Sequence, residues 1–330
     1  MMKTKNSGSW HGITLALLLT AAAMATIVGL AGGCATASTA STASIADNVD
    51  DLNSAANDFE ITFSADGKTA LFVSNREGGY GGDDIYVTHL VGNKWSTPVN
   101  MGPAINTSAD EREAALTSDG QIIYFVRKNR PAHGEMYISR NVNGVWQPAE
   151  NWNDVPEMPH LNSPETEVHC PIIVSEDFMY FSYDKPGVTQ VSDIWQVKRV
   201  NGEWGEPEPL PGEINSPYRD HIHWTGLSQD GNALIVVSNR PDGGLGNSDQ
   251  WISYRDSAGN WSAPVNLGPS VNTASDEICF AFTPDGEYFV GATTRPGGKG
   301  GRDLRWIKRS SIPLLQDFKP RAEPPLNLLR

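Results

Sequence analysis

The chain is predicted to be all-β, a β-propeller of five blades with four antiparallel strands each (six blades if a degenerate copy is hidden). Three observations carry this expectation. First, a triplet of apolar residue, Asn and Ser or Thr recurs five times, with an acid six residues after its first member. The copies are Leu52-Asn53-Ser54 with Asp58, Ile105-Asn106-Thr107 with Glu111, Leu161-Asn162-Ser163 with Glu167, Ile214-Asn215-Ser216 with Asp220, and Val271-Asn272-Thr273 with Glu277. Second, the copies start 53, 56, 53 and 57 residues apart, and a fixed period of this length with strand-like content marks a blade-by-blade array. Third, each copy runs into a turn of the Asp-Gly kind, at 64–67, 117–120, 175–177, 228–231 and 283–286.

Within a copy, the first strand alternates. Phe59, Ile61 and Phe63 fall on one face with Asp58, Glu60 and Thr62 on the other, and Ile278, Phe280 and Phe282 oppose Glu277, Cys279 and Ala281. A period of two suits an innermost strand with one side in the blade and the other on a channel. The turn closes a hairpin onto second strands at 69–74, 122–126, 179–183, 233–238 and 288–292. A basic residue follows (Arg76, Arg130, Lys185, Arg240, Arg295) and then an acid (Asp84, Glu135, Asp193, Asp249, Asp303). One internal ion pair per blade, clamping the loop between them, is the expected role. The acid opens a third strand with Tyr86, Tyr137, Trp195 or Trp251 two places on, and Arg305 in copy five. Trp95, Trp146, Trp204 and Trp261 mark the fourth strand and are read as packing between blades. Copy five lacks this Trp. Leu314 takes the slot, so 312–318 is expected to supply the last strand, in preference to the less apolar 43–51. The Gly-rich stretches 78–82, 243–246 and 297–301 join strands and precede no Gly-Lys-Ser/Thr, so they read as hairpin loops, not phosphate cradles.

The run Ser-x-Asp-Gly, then LFVSNR, a Gly-rich loop and DIYV (64–87) resembles the TolB-like, WD-repeat-like propellers of bacterial envelopes. The resemblance covers about 52–309. It is strongest in copies one and four and weaker in copy two, where the loop reads PAHGEMY, and in copy three, which lacks the turn Gly. It implies the fold and an envelope location, and no single activity. Better-known members of that family bind other proteins.

The ends supply an address. Lys3 and Lys5, an apolar run over 13–31 and then Gly32-Gly33-Cys34 describe an export signal. The small-small-Cys ending resembles a lipoprotein cleavage site, which implies that Cys34 is lipidated. Ala35 after it implies the outer membrane in a Gram-negative source. A plain transmembrane anchor is the alternative, since 19 mostly apolar residues can just span a bilayer. The expected layout is a signal peptide over 1–33, a low-complexity tether over 34–50, a propeller over 51–318 and a tail over 319–330, as a monomer. Net charge is −14, and losing the leader's two lysines makes it more negative, which argues against a nucleic-acid partner. Cys170 and Cys279 sit in non-neighbouring copies and are expected to be buried free thiols.

Chemistry is expected where five innermost strands converge on one channel mouth. Candidate binding residues are Glu60, Glu113, Glu167, His169, His221, His223 and Trp224. The two histidines of copy four need a bulge to face the channel. Glu167, His169, His221 and His223 are the candidate ligands of a divalent cation, with oxygens for calcium and imidazoles for zinc or manganese. The competing reading makes the first acid of every copy (Asp58, Glu111, Glu167, Asp220, Glu277) a local turn cap. No nucleophile elbow, HExxH, paired CxxC or EF-hand loop occurs. The functional expectation is therefore a lipid-anchored module that binds an envelope protein or a cell-wall or extracellular glycan. A glycan hydrolase or metal-dependent lyase using mouth carboxylates is the alternative.

Overall fold

The computed structural model describes residues 47–48, 52–92, 94–129, 133–164, 167–184 and 192–321. The expected leader, Cys34, Arg130, Lys185 and residues 322–330 lie outside them. Five antiparallel sheets form a ring, one per repeat. Blade one holds Asp58–Phe63, Thr69–Ser74 and Asp84–Val91. Blade two holds Asp110–Leu116, Ile122–Lys128 and Gly134–Val142. Blade three holds Glu167–Ser175, Phe178–Asp184 and Asp193–Val200. Blade four holds Asp220–Leu227, Ala233–Ser238 and Asp249–Tyr254. Blade five holds Glu277–Phe282, Tyr288–Thr293 and Asp303–Lys308. In the first three blades the outer strand is split, as in Lys94–Trp95 and Val99–Asn100. A proline (Pro98, Pro148 or Pro207) stands in each gap; lacking an N–H, proline belongs on such an edge.

The core is five wedges between neighbouring blades, each a separate apolar cluster. The repeated triplet explains how the wedges are held. Its first residue (Leu52, Ile105, Leu161, Ile214, Val271) is buried in each copy. Its Asn reaches the third strand of the preceding blade and binds both the N–H and the carbonyl of one residue, as a strand would. Asn53 does this to Leu304, Asn106 to Ile85, Asn162 to Met136, Asn215 to Ile194 and Asn272 to Gln250, all at 2.8–2.9 Å. The Ser or Thr then donates to the acid four residues on, from Ser54 to Asp58, Thr107 to Glu111, Ser216 to Asp220 and Thr273 to Glu277.

The basic residue pairs with this first acid, not with the acid of the third strand as expected. Arg76 binds Asp58, Arg240 binds Asp220 and Arg295 binds Glu277, and in copy two it is Arg127, three residues before the expected Arg130, that binds Glu111. Each guanidinium also donates to the carbonyl that opens its repeat. The third-strand acid holds the loop by itself: Asp84 accepts from Tyr80 N–H, Asp249 from Leu245 N–H and Asp303 from Lys299 N–H. The loop glycines fit by close approach. A Cβ on Gly81, Gly246 or Gly300 would overlap the carbonyl of Ala109, Ser275 or Ala56 in the next repeat.

The last blade closes differently from expectation. Asp47–Asn48, from the expected tether, pairs antiparallel with Arg305 and Trp306 and completes blade five. Segment 312–318 instead folds as short helical turns around Pro313–Leu315. Its apolar side chains Ile312, Leu315 and Phe318 are buried between blades four and five, Phe318 stacking on Phe282 at 4.9 Å. Leu314 is exposed. Apolarity at 312–318 thus reports wedge filling. An edge strand requires only backbone pairing, which a polar dipeptide provides. Within the segment expected as a tail, Pro320 bridges Ser228 and Arg321 N–H donates to Leu227 O.

Two outcomes follow. Asn272→Ala leaves the buried N–H of Gln250 without a partner, while its carbonyl keeps the Leu267 N–H at 3.0 Å, and should destabilise the propeller by about 1–3 kcal/mol, measured by urea unfolding. Truncation through Asp51 should lower the melting temperature by several degrees, and an unchanged value would show that the Asp47–Asn48 pairing is dispensable.

Candidate functional site

The innermost strands do not keep the simple alternation. In blade one Phe59 pairs with Val73 but Thr62 with Leu71, so one extra residue bulges out. That residue, Glu60, has φ 56°. Glu113, Cys170 and Cys279 repeat this left-handed conformation at φ 54°, 44° and 55°, which is uncommon for a residue with a side chain. The bulge also corrects the facing of the strand: Phe59 packs between blades one and two, Ile61 between blades five and one. Blade four has a longer irregularity after Ile222, and this brings both His221 and His223 to the channel mouth.

The bulge side chains form a closed ring. Glu60 Oε2 accepts from Glu113 N–H at 2.6 Å. Glu113 Oε2 accepts from Cys170 N–H at 2.9 Å and from the Cys170 thiol at 3.3 Å. Cys170 Sγ meets His223 Nδ1 at 3.5 Å, and His223 Nε2 accepts from Cys279 N–H at 3.2 Å. The Cys279 thiol closes the circle on Glu60 Oε1 at 3.7 Å. Because His223 Nε2 is an acceptor, its proton sits on Nδ1, facing Cys170. Both cysteines are free thiols, and burial pushes each well above the ordinary thiol range.

Above the ring lies a cavity of about 430 Å³. Its wall takes the residue before each bulge and its counterpart in blade four, namely Phe59, Arg112, His169, His221 and Ile278, together with Lys128, Glu167, Arg219, Asp276 and Arg302. Six of the seven expected binding residues therefore share one cavity: Glu60, Glu113, Glu167, His169, His221 and His223. Trp224 does not. It turns into the apolar wedge beside blades two and three, edge-on to His223 at 5.9 Å. Asp58, Glu111, Asp220 and Glu277 are fully buried clamp acids, as the local-cap reading has it. Glu167 departs from them. Val168 occupies the clamp position, and Glu167 is held by Lys128 Nζ at 2.7 and 2.9 Å.

The ionisable groups are driven apart. Burial, reinforced by the neighbouring Glu113 carboxylate, raises Glu60 from 4.5 to about 7. Burial also opposes ionisation of Glu113, but the His169 charge and hydrogen bonds from His169 and Cys170 outweigh it and hold Glu113 at about 2. His169, 2.7 Å from Glu113 through Nδ1, is raised because that carboxylate overcomes the effect of burial. Burial lowers His223 to about 4. It also lowers His221 strongly, helped by Arg219, whose Nε donates to His221 Nε2. At neutral pH the cavity thus holds ionised Glu113 and two neutral imidazoles, with His169 shifted toward its charged form by the Glu113 carboxylate.

The expected metal set is only partly assembled. Both nitrogens of His223 belong to the ring and His221 Nε2 is taken by Arg219. Glu167 and His169 instead gather with Asp184, which sequence reading missed, their ligand atoms lying within 4.8 Å of one another. Cys170 was missed as a ring member. No local signal marks a non-glycine residue for positive φ.

No protein-family model matches the chain, and no curated protein does. Several solved structures align with much of the chain. TolB from Acinetobacter baumannii aligns at 16% identity and TM-score 0.45 over 83% of this chain, which spans 59% of that protein's length. A TolB from Agrobacterium tumefaciens aligns at 20% identity and TM-score 0.43, covering 75% of this chain and 73% of that one. A thermostable family-43 glycoside hydrolase aligns at 12% identity and TM-score 0.46, covering 76% and 88%. These are likenesses of architecture.

Glu60 sets a testable sign. Its proton is held more tightly folded than unfolded, so its stabilising effect is complete below about 4.5 and is lost as pH rises through about 7. Glu60→Gln keeps an acceptor for Glu113 N–H. It should match the wild type below about pH 4 and exceed it by up to about 3 kcal/mol at pH 8 in urea unfolding. Equal pH slopes for the two proteins would contradict the assignment.

Proposed function

We propose that this chain is an exported, lipid-anchored propeller of the cell envelope, and that the mouth cavity is its ligand-binding site. The single observation that carries the reading is a set of buried polar atoms with no hydrogen-bond partner around the cavity: Arg302 Nε, Asp276 Oδ1 and His169 Nε2. Buried polar groups are nearly always satisfied, so a cluster of exceptions calls for a bound polar molecule. The set mixes donors and acceptors, which suits the hydroxyl-rich end of a cell-wall or extracellular glycan. A polar loop of an envelope protein is the competing occupant. The phenyl face of Phe59 is no free stacking platform, because the Arg112 and Arg302 guanidinium groups lie over it at 5.5 and 5.2 Å.

A glycan hydrolase draws support from the separation of Glu60 and Glu113, which is how an acid and a base are made from two carboxyls. Their oxygens, however, are committed to backbone and thiol donors around the ring and, for Glu113 Oε1, to the His169 imidazole. A binding module fits the geometry better.

The address rests on Lys3, Lys5, the apolar run and Cys34. Cys34→Ser should move the protein from the membrane fraction to the soluble one, while retention in the membrane would favour a spanning anchor. For the site, glycan fragments from the envelope should include one that raises the melting temperature of the wild type and not of Arg302→Met. A fragment set without effect, combined with an envelope protein whose capture Arg302→Met abolishes, would replace the glycan by a protein partner. If neither kind of molecule depends on Arg302, the cavity is not the site.

A further inference from the structure

We infer that Glu167, His169 and Asp184 form a binding site for a first-row divalent cation of the zinc type, with Glu113 as the group that orients the imidazole. Glu167 and Asp184 face each other as register partners on the first two strands of blade three. His169 sits two residues from Glu167, and the three ligand atoms lie within 4.8 Å of one another. His169 is 95% buried, since only 5% of its surface is exposed. Its Nδ1 is fixed by Glu113 Oε1 at 2.7 Å, which directs Nε2 toward Glu167 Oε1 at 3.7 Å. That Nε2 has no hydrogen-bond partner, and neither has Asp184 Oδ1. Two unpartnered buried atoms thus point into one carboxylate-imidazole cluster. A carboxylate behind the far nitrogen of an imidazole is the arrangement that fixes the tautomer and raises the basicity of a metal-ligating histidine. One imidazole with two carboxylates matches zinc or manganese better than calcium, which prefers an all-oxygen shell.

The repeat makes the case sharper. Four blades place an acid under an Arg at the clamp position. Blade three puts Val168 there and displaces its acid by one residue, to the cavity edge. A residue that the fold requires recurs with the blade; among the described residues this cluster occurs once. Three carboxylates (Glu113, Glu167 and Asp184) surround it. Lys128 now neutralises Glu167, and an arriving cation takes its place.

The inference shares the cavity of the ligand-binding reading but not its fate, because a cation can bind with no organic molecule present. Titration calorimetry of the full-length chain with zinc chloride, and separately with manganese and calcium chlorides, is the test. Zinc should bind one per chain and raise the melting temperature. His169→Ala and Asp184→Asn should each weaken binding by at least about 100-fold, and Glu113→Gln by roughly 10–100-fold. Lys128→Met should bind zinc at least as tightly as the wild type, which a merely structural role for the cluster does not predict. Asp184→Asn is nearly isosteric, so folding verified by circular dichroism keeps the test valid where His169→Ala does not fold. The exposed His133 lies 3.8 Å from Glu167 Oε2 through Nδ1 and is the rival ligand. Absence of binding by all three ions, preference for calcium, or zinc binding that survives Asp184→Asn but is lost in His133→Ala would overturn the site.

Discussion

The bulge in each innermost strand is the constraint on which the centre of the molecule depends. Five strands converging on one axis leave backbone N–H groups pointing into a channel, where a neighbouring blade is closer than solvent. A buried unpaired N–H costs about 1–3 kcal/mol. The ring answers this for three blades directly, since Glu60, Glu113 and His223 accept the N–H of Glu113, Cys170 and Cys279. Doing so requires side chains at positive φ, a conformation costing on the order of 1 kcal/mol or more for a non-glycine residue. Strain of this kind persists only where surrounding contacts fix it, and here they are the Asn staples and apolar wedges between blades. The floor of the cavity is thus a by-product of closing the propeller.

Repetition separates what the fold needs from what it does not. The Asn staple occurs in five copies and the Arg clamp in four among the described residues; both are accounted for by backbone groups and buried charges within or between blades. What stands outside this scheme is concentrated at blades three and four: the displaced Glu167, the paired rings of His169 and His221 at 5.1 Å, and Asp184 with its unpartnered Oδ1. These residues cost stability, through desolvation and unmet hydrogen bonds, with no structural return in the propeller itself.

The blades were legible because their signals are local. Alternating apolar residues, Asp-Gly turns and spaced aromatics each report a backbone geometry within about ten residues. The Trp slot was legible too, since Trp261 is buried in a wedge and Trp95, Trp146 and Trp204 pack against three others. The misreadings share one cause, which is that pairing between distant segments leaves no local mark. Arg76 lies nearer in sequence to Asp84 than to Asp58, yet the hairpin turns it onto Asp58. Asp47–Asn48 carries no apolar pattern, and its pairing is written only in the unpaired edge of Asp303–Lys308. The convergence of Glu60, Glu113 and His169 on one mouth was legible from strand order, whereas His221 and His223 both reach it only through the irregularity after Ile222. Cys170 joins them only because His169 takes the pre-bulge place, a one-residue slip that no spacing rule reveals. Asp184 lies at the end of a second strand, where position along the chain does not disclose that it faces Glu167.

The ring is the central claim, and the protonation state of its histidine tests it most directly. Nitrogen-15 spectra of histidine-labelled protein, recorded from pH 5 to 8, distinguish the two tautomers and the imidazolium. The account predicts that His223 stays neutral with its proton on Nδ1 throughout, while His169 titrates above the ordinary imidazole range in metal-free protein. A His223 resonance titrating near 6.5, or one with its proton on Nε2, would mean that Cys279 N–H has no acceptor there and that the ring is not closed.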